Sequence, residues 1–329
     1  MKKKLLFYLL ALMLMMSCIN VYANNSSKSF EYSVKPGMSV WKNFKTHAEM
    51  VEACQIPKDV LKKMSTEELA KAVMDYPLFV DIFLFNTRQQ GYDALCKRFN
   101  GLQELLKKDD AQTKLLEVYS NLSESLGSER SIGAQNESLM LRKVYLEVIL
   151  TQDEFVNKME KEDIDKIISL STKAPSFSAL GTTTVTTPKG TSVEVIVSAK
   201  KSSDYLTAID NAVKNQFPLA TFVRNSDNRY NCHSYAWYSQ STSNVYWMND
   251  PSAYMTDGSY SYEGILPNAI NEKVYYASGN HSGIVKGYSS SRPYDKGLIQ
   301  IQSKWGEGPL LNHAASYSPY DDTDLKYYK

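Results

Sequence analysis

The sequence predicts an α+β protein: an all-helical N-terminal region, then a C-terminal α+β region built on a small antiparallel sheet. Three observations carry this. Apolar residues recur at helical spacing from Leu69 to Leu150, β-branched runs begin abruptly at Gly181, and 16 of the 23 tyrosines lie between Tyr205 and Lys329 with 3 of the 4 histidines. The 329 residues are enough for about two domains with their own cores. A composition of 43% hydrophobic and 22% charged residues excludes a disordered chain. The net charge of +1 argues against nucleic acid as a partner and against electrostatic binding to an anionic membrane. The cysteines, Cys18, Cys54, Cys96 and Cys232, are too few for a disulfide-built scaffold.

In chain order, residues 1–23 read as a signal peptide: lysines at the start, an apolar run from Leu5 to Ser17, and small residues in Val21-Tyr22-Ala23. The run is about 13 residues, short of the roughly 20 that span a bilayer, so an exported protein cleaved after Ala23 is expected. Met15-Met16-Ser17-Cys18 loosely resembles a lipoprotein processing box, which leaves lipid anchoring at Cys18 as the alternative. Residues 24–45, polar with a Pro-Gly pair, read as a linker.

Residues 46–172 are expected to form the helical domain. Thr46 with Glu49 and Ser65 with Glu68 have the form of capping boxes, in which a hydroxyl and a glutamate three positions on satisfy the opening N–H groups. Leu69, Val73 and Met74, then Leu102, Leu105 and Leu106, then Leu115, Leu116 and Tyr119, then Leu139 to Leu150 supply apolar faces, with Pro57 and Pro77 as breaks. No catalytic set stands out in this region. His47 is its one histidine, and Cys54 and Cys96 sit in apolar helical surroundings. Residues 173–204 are a hairpin or connector, with two β-branched runs around Pro188-Lys189-Gly190.

Residues 205–329 carry the chemistry. In Arg229-Tyr230-Asn231-Cys232-His233-Ser234 a polar loop runs into an apolar helical stretch, so Cys232 opens a helix, where free N–H groups favour a thiolate. His233 is badly placed as its partner, because successive helical residues point apart. His281 instead opens a strand, in Gly279-Asn280-His281-Ser282-Gly283-Ile284-Val285. A hairpin centred near Arg292 would bring Gln302 to Lys304 opposite His281, making Gln302 or Ser303 the residue that orients the imidazole. Lys304 has no acceptor for that purpose. His313 is either the orienting residue or a substrate contact. Tyr230, Asn231, Trp247, Trp305 and His313 are the expected substrate-binding residues. Without paired CxxC or HxxxH spacing no metal is expected, and without a glycine-rich phosphate loop no cofactor.

Asn231-Cys232-His233-Ser234 and His281-Ser282-Gly283-Ile284-Val285 resemble the motifs of papain-like cysteine hydrolases of the NlpC and CHAP type, over about the last 125 residues. The resemblance implies a papain-like fold with Cys232 as nucleophile, His281 as base, and a third position among Gln302, Ser303 and His313. It implies cleavage of an amide bond, most often in peptidoglycan stem peptides, and hence association with the cell envelope. This sequence departs from the pattern at Tyr235 and in an aromatic insert from Trp247 to Tyr262, expected to wall the substrate cleft. The expectation is an exported bacterial cysteine amidohydrolase or peptidase. Its alternatives are a non-catalytic binding or adhesion protein on the same fold and a transglutaminase-like acyl transferase.

Overall fold

Both expected capping boxes form. Thr46 accepts the Glu49 N–H at 3.2 Å and returns its own N–H to the Glu49 carboxylate, opening α1 (His47–Ala53). After the short α2 (Lys58–Leu61), Ser65 and Glu68 open α3 (Thr66–Met74) in the same way. A third box, Thr87 with Gln90, opens α4 (Arg88–Arg98) directly after a 3₁₀ turn at Phe79–Phe83. Then follow α5 (Asn100–Leu105), α6 (Ala111–Gly127), α7 (Ala134–Leu150), α8 (Asp153–Val156) and α9 (Lys161–Ser171). The apolar spacing points inward: Leu69, Val73, Leu102, Leu105, Leu115, Tyr119, Leu146 and Leu150 are all fully buried. Each is worth about 1.5–3 kcal/mol of burial.

The structure, a computed structural model, describes residues 30–127, 134–171 and 179–329. The expected signal peptide and Cys18 lie outside the described residues. Among these residues no helix is long and apolar enough to cross a membrane.

Strands β1 (Ala179–Thr186) and β2 (Ser192–Ser198) form the expected hairpin, closed by the Gly190 N–H donating to Thr187 O with Gly190 at φ +90°. β4 (Tyr246–Trp247) adds to β2 and completes a three-stranded sheet. The larger sheet contains β3 (Thr221–Arg224), β5 (Tyr262–Gly264), β6 (Lys273–Tyr276), β7 (His281–Gly287), β8 (Gln300–Lys304), β9 (Leu310–Ala314) and β10 (Leu325–Tyr328). Its order is β3-β9-β8-β7-β6-β10-β5 and each pair is antiparallel. The protein is thus a mixed α and β fold with antiparallel sheets and its helices mostly toward the N-terminus.

One face of the seven-stranded sheet meets the small sheet through Val193, Val195, Trp237, Tyr254, Ile284 and Leu310. The other meets helices. Trp305 packs at 4.7 Å against Phe217, which ends α10 (Ser203–Gln216), and buried Glu307 holds Arg88 and Lys201 at 2.8 Å each. Glu31–Lys329 form one compact unit. The aromatic insert packs too: Tyr254, in α11 (Ser252–Thr256), and Tyr260 surround Trp237, with Tyr260 and Tyr328 edge-on at 5.5 Å. Tyr254 and Tyr260 thus close a core within the segment expected to form one wall of the substrate cleft.

Candidate functional site

Cys232 begins a short irregular helical turn. The Tyr235 N–H bonds Asn231 O, but the Ser239 N–H reaches back five residues to Ser234 O at 2.9 Å, a wide π-type turn of the sort that often marks functional sites. Asn231 fixes the turn. Its Oδ1 accepts from the Ser234 and Met248 N–H groups at 3.1 Å each, and its Nδ2 donates to Met248 O at 2.6 Å and Asn86 Oδ1 at 3.0 Å.

The Cys232 thiol lies at the head of β7. Its backbone partners are the N–H groups of Ser282 and His233. The Ser282 N–H can point there because pairing of β7 with β8 starts only at Ile284. The S–H donates to Asn86 Oδ1 at 3.3 Å. Cys232 is 1% exposed, and burial pushes its thiol up to about 11 despite those N–H groups, so it is protonated at neutral pH.

His233, set aside on helical geometry, is carried by the wide turn to the same place. Its Nδ1 lies 2.8 Å from Ser282 Oγ, which also accepts from Trp237 Nε1. Its Nε2 lies 3.0 Å from Asn86 Nδ2 and 3.2 Å from Asn280 Oδ1. Burial lowers this imidazole to about 4. Asn86, the last of three residues between the 3₁₀ turn and the Thr87 cap, is a member that sequence reasoning missed. An asparagine 146 positions before Cys232 leaves no local signal.

His281 is fully buried, stacked on Tyr320 at 3.5 Å with Tyr276 edge-on at 5.2 Å. Among the described residues neither ring nitrogen has a hydrogen-bond partner, Cys232 included. Burial first, then the neighbouring His313 and His233, holds it neutral, well below the usual histidine range. The expected register of its hairpin is corrected: Gln302 stands opposite Ile284, with an irregularity between Val285 and Gly287. Strand alternation therefore puts Gln302 on the face opposite His281, where it accepts from the Tyr235 hydroxyl and donates to Asn312 Oδ1. Ser303 shares the face of His281, yet its Oγ bonds His313 Nε2 at 2.7 Å and accepts from Trp305 Nε1. His313 donates Nδ1–H to Ala314 O. None of the three orients His281.

The expected substrate contacts are mostly interior. Asn231, Trp305 and His313 are at most 1% exposed, and Tyr230 lies buried under the Lys304 ammonium at 4.9 Å. Trp247 lines a shallow pocket of about 240 Å³ beside β2 with Glu194, Asn249 and Asp250, which does not include Cys232. Among the described residues no group of three His, Cys, Asp or Glu side chains is placed to hold a metal ion. Compared with protein-family models, curated proteins and solved structures, the chain matches none.

Proposed function

We propose that the protein is an exported cysteine amidohydrolase or peptidase of papain-like architecture, acting on an amide bond such as those of peptidoglycan stem peptides. The observation that carries this reading is the sulfur's position: Cys232 sits against the backbone of Ser282, the residue after His281, whose two buried ring nitrogens have no partner among the described residues. Orphaned buried polar groups are uncommon in folded proteins, and a proton acceptor held ready for a thiol accounts for this one. In the reaction His281 takes the thiol proton as Sγ attacks the carbonyl carbon. The C–N bond then breaks as the histidine returns that proton to the departing amine. Water opens the thioester, giving a carboxylic acid and the free thiol.

The test sets the chain against Cys232→Ala on purified peptidoglycan, with soluble fragments read by mass spectrometry. Fragments released by the parent alone support the reading, and their masses name the bond. Equal release by both proteins would remove Cys232 from the chemistry. One observation favours a second reading, a non-catalytic binding protein on the same fold: the thiol is buried and protonated. A folded chain that releases nothing, and whose Cys232 is alkylated no faster than a model thiol even after Asn86→Ala, would establish it.

A further inference from the structure

The carboxamide of Asn86 is bound as a ligand would be. Its oxygen accepts from Asn231 Nδ2 at 3.0 Å and from the Cys232 thiol at 3.3 Å. Its nitrogen donates to Asn280 O at 3.0 Å and stands 3.0 Å from His233 Nε2. Nε2 also stands 3.2 Å from Asn280 Oδ1: with Nδ1–H toward Ser282 Oγ it accepts from Asn86, and in the other tautomer it donates to Asn280. In the first tautomer two partners at the oxygen and two at the nitrogen use the full hydrogen-bonding capacity of a primary amide, supplied by three residues around a thiol. An asparagine buried for packing alone needs no thiol at its carbonyl and no imidazole at its nitrogen.

The segment carrying Asn86 is held from the sheet side by three backbone contacts. The Tyr320 hydroxyl donates to Leu84 O, and the Glu307 N–H donates to Phe83 O at 3.3 Å. Gly306, at φ +48°, lets the chain pass so closely that a Cβ there would stand 2.6 Å from the Leu84 carbonyl carbon. The ring of Tyr320 is also the one stacked on His281.

We propose that Phe83–Thr87 is an internal plug in which the Asn86 carboxamide occupies the position of the substrate amide, so that Cys232 reacts only when this segment withdraws. The word substrate here rests on the hydrolase reading; the plug itself does not. In that position Asn231 Nδ2 addresses the carbonyl oxygen of an incoming amide and His233 Nε2 addresses its nitrogen.

The experiment follows iodoacetamide labelling of Cys232 in the full chain by peptide mass spectrometry, for the parent, Asn86→Ala and Tyr320→Phe. Fully buried Cys54 reports in the same sample whether each variant is folded. Asn86→Ala is expected to speed Cys232 labelling about tenfold, from the hydrogen bonds lost, with Cys54 still protected. Tyr320→Phe keeps the ring on His281, releases Leu84, and is expected to give a smaller rise. Unchanged Cys232 labelling in both variants with Cys54 protected overturns the plug. If Asn86→Ala exposes Cys54 as well, Tyr320→Phe alone decides. Faster labelling without peptidoglycan hydrolysis by the opened variant keeps the plug and defeats the hydrolase reading, so the two failures are distinct.

Discussion

The two faces of the seven-stranded sheet treat their polar residues differently. On the helix-facing side, His281, Ser303 and His313 stand among Tyr276, Trp305 and Tyr320, with Ser303 and His313 bonded to each other and the His281 ring to no described residue. On the side facing the small sheet, Ser282 and Gln302 are bonded to the turn that bears Cys232, through Trp237, His233 and Tyr235. One step along β7 separates the two environments, because consecutive residues of a strand face opposite ways. An ordered run of Cys, His and polar residues thus does not by itself assemble a triad. The faces meet at the strand's head, where Asn86 arrives from the helical side and touches both Cys232 and His233.

The largest expected effect breaks both faces together. His281, His233 and His313 are all held neutral by burial, with folded values well below the usual one for His281 and about 4 for the other two. Their folded pKa values are depressed, so below about pH 6.5 the unfolded chain binds protons that the folded chain refuses. The stability is whole above that pH and falls as the solution is acidified toward pH 4. Each histidine should contribute a slope of about 1.4 kcal/mol per pH unit, read from urea unfolding at pH 7.5 and 5. His281→Phe sharpens the comparison: it should remove one such slope and leave stability at pH 7.5 equal or higher, since two unsatisfied nitrogens disappear. An unchanged slope would mean that His281 protonates in the folded state.

Next in size is the tie between the helices and the end of the sheet. Glu307 is buried with Arg88 at 2.8 Å, Lys201 at 2.8 Å and the Tyr205 hydroxyl at 3.0 Å. Burial alone would raise its carboxyl, and the two cations overcome this and hold it below the usual range. Glu307→Gln leaves both cations uncompensated and should cost about 3–5 kcal/mol, lowering Tm by roughly 10 °C in calorimetry. The parent's share of this stability is present above the ordinary glutamate value of about 4.3 and is lost as pH falls through the lower folded value. A loss under about 1 kcal/mol would show that the triad is solvated and does not bind the two parts.

The helical region was legible from sequence because its determinants are local. Thr46 and Glu49, or Ser65 and Glu68, lie three residues apart, and the apolar faces repeat within a turn. The hairpin of β1 and β2 was legible for the same reason. The site was legible only in part. Cys232 at the start of a helical turn and His281 at the start of a strand are local features, and both are observed. The partners of each were not legible. The hairpin register depended on an irregularity at Val285–Gly287 that residue types do not announce. The position of His233 depended on a π-type turn in place of an α-helical one. Asn86 reaches Cys232 across 146 residues of chain, a contact set by tertiary packing alone.

The smallest expected effect tests how the plug is held from its own side. Thr87 is exposed, and its capping box is local: Oγ1 accepts the Gln90 N–H at 3.1 Å, and the Thr87 N–H donates to Gln90 Oε1 at 3.3 Å. Thr87→Ala should therefore cost about 1 kcal/mol of stability in urea unfolding, the usual price of a lost cap. Its second effect discriminates between the two anchors of Asn86. If the helix start restrains the carboxamide, Cys232 labelling should rise a few-fold with Cys54 unchanged. If stability falls by the same amount and labelling stays at the parent's rate, the restraint comes from the sheet-side contacts of Tyr320, Gly306 and Glu307. The opening motion would then be a parting of the Phe83–Thr87 segment from the sheet rather than a fraying of α4.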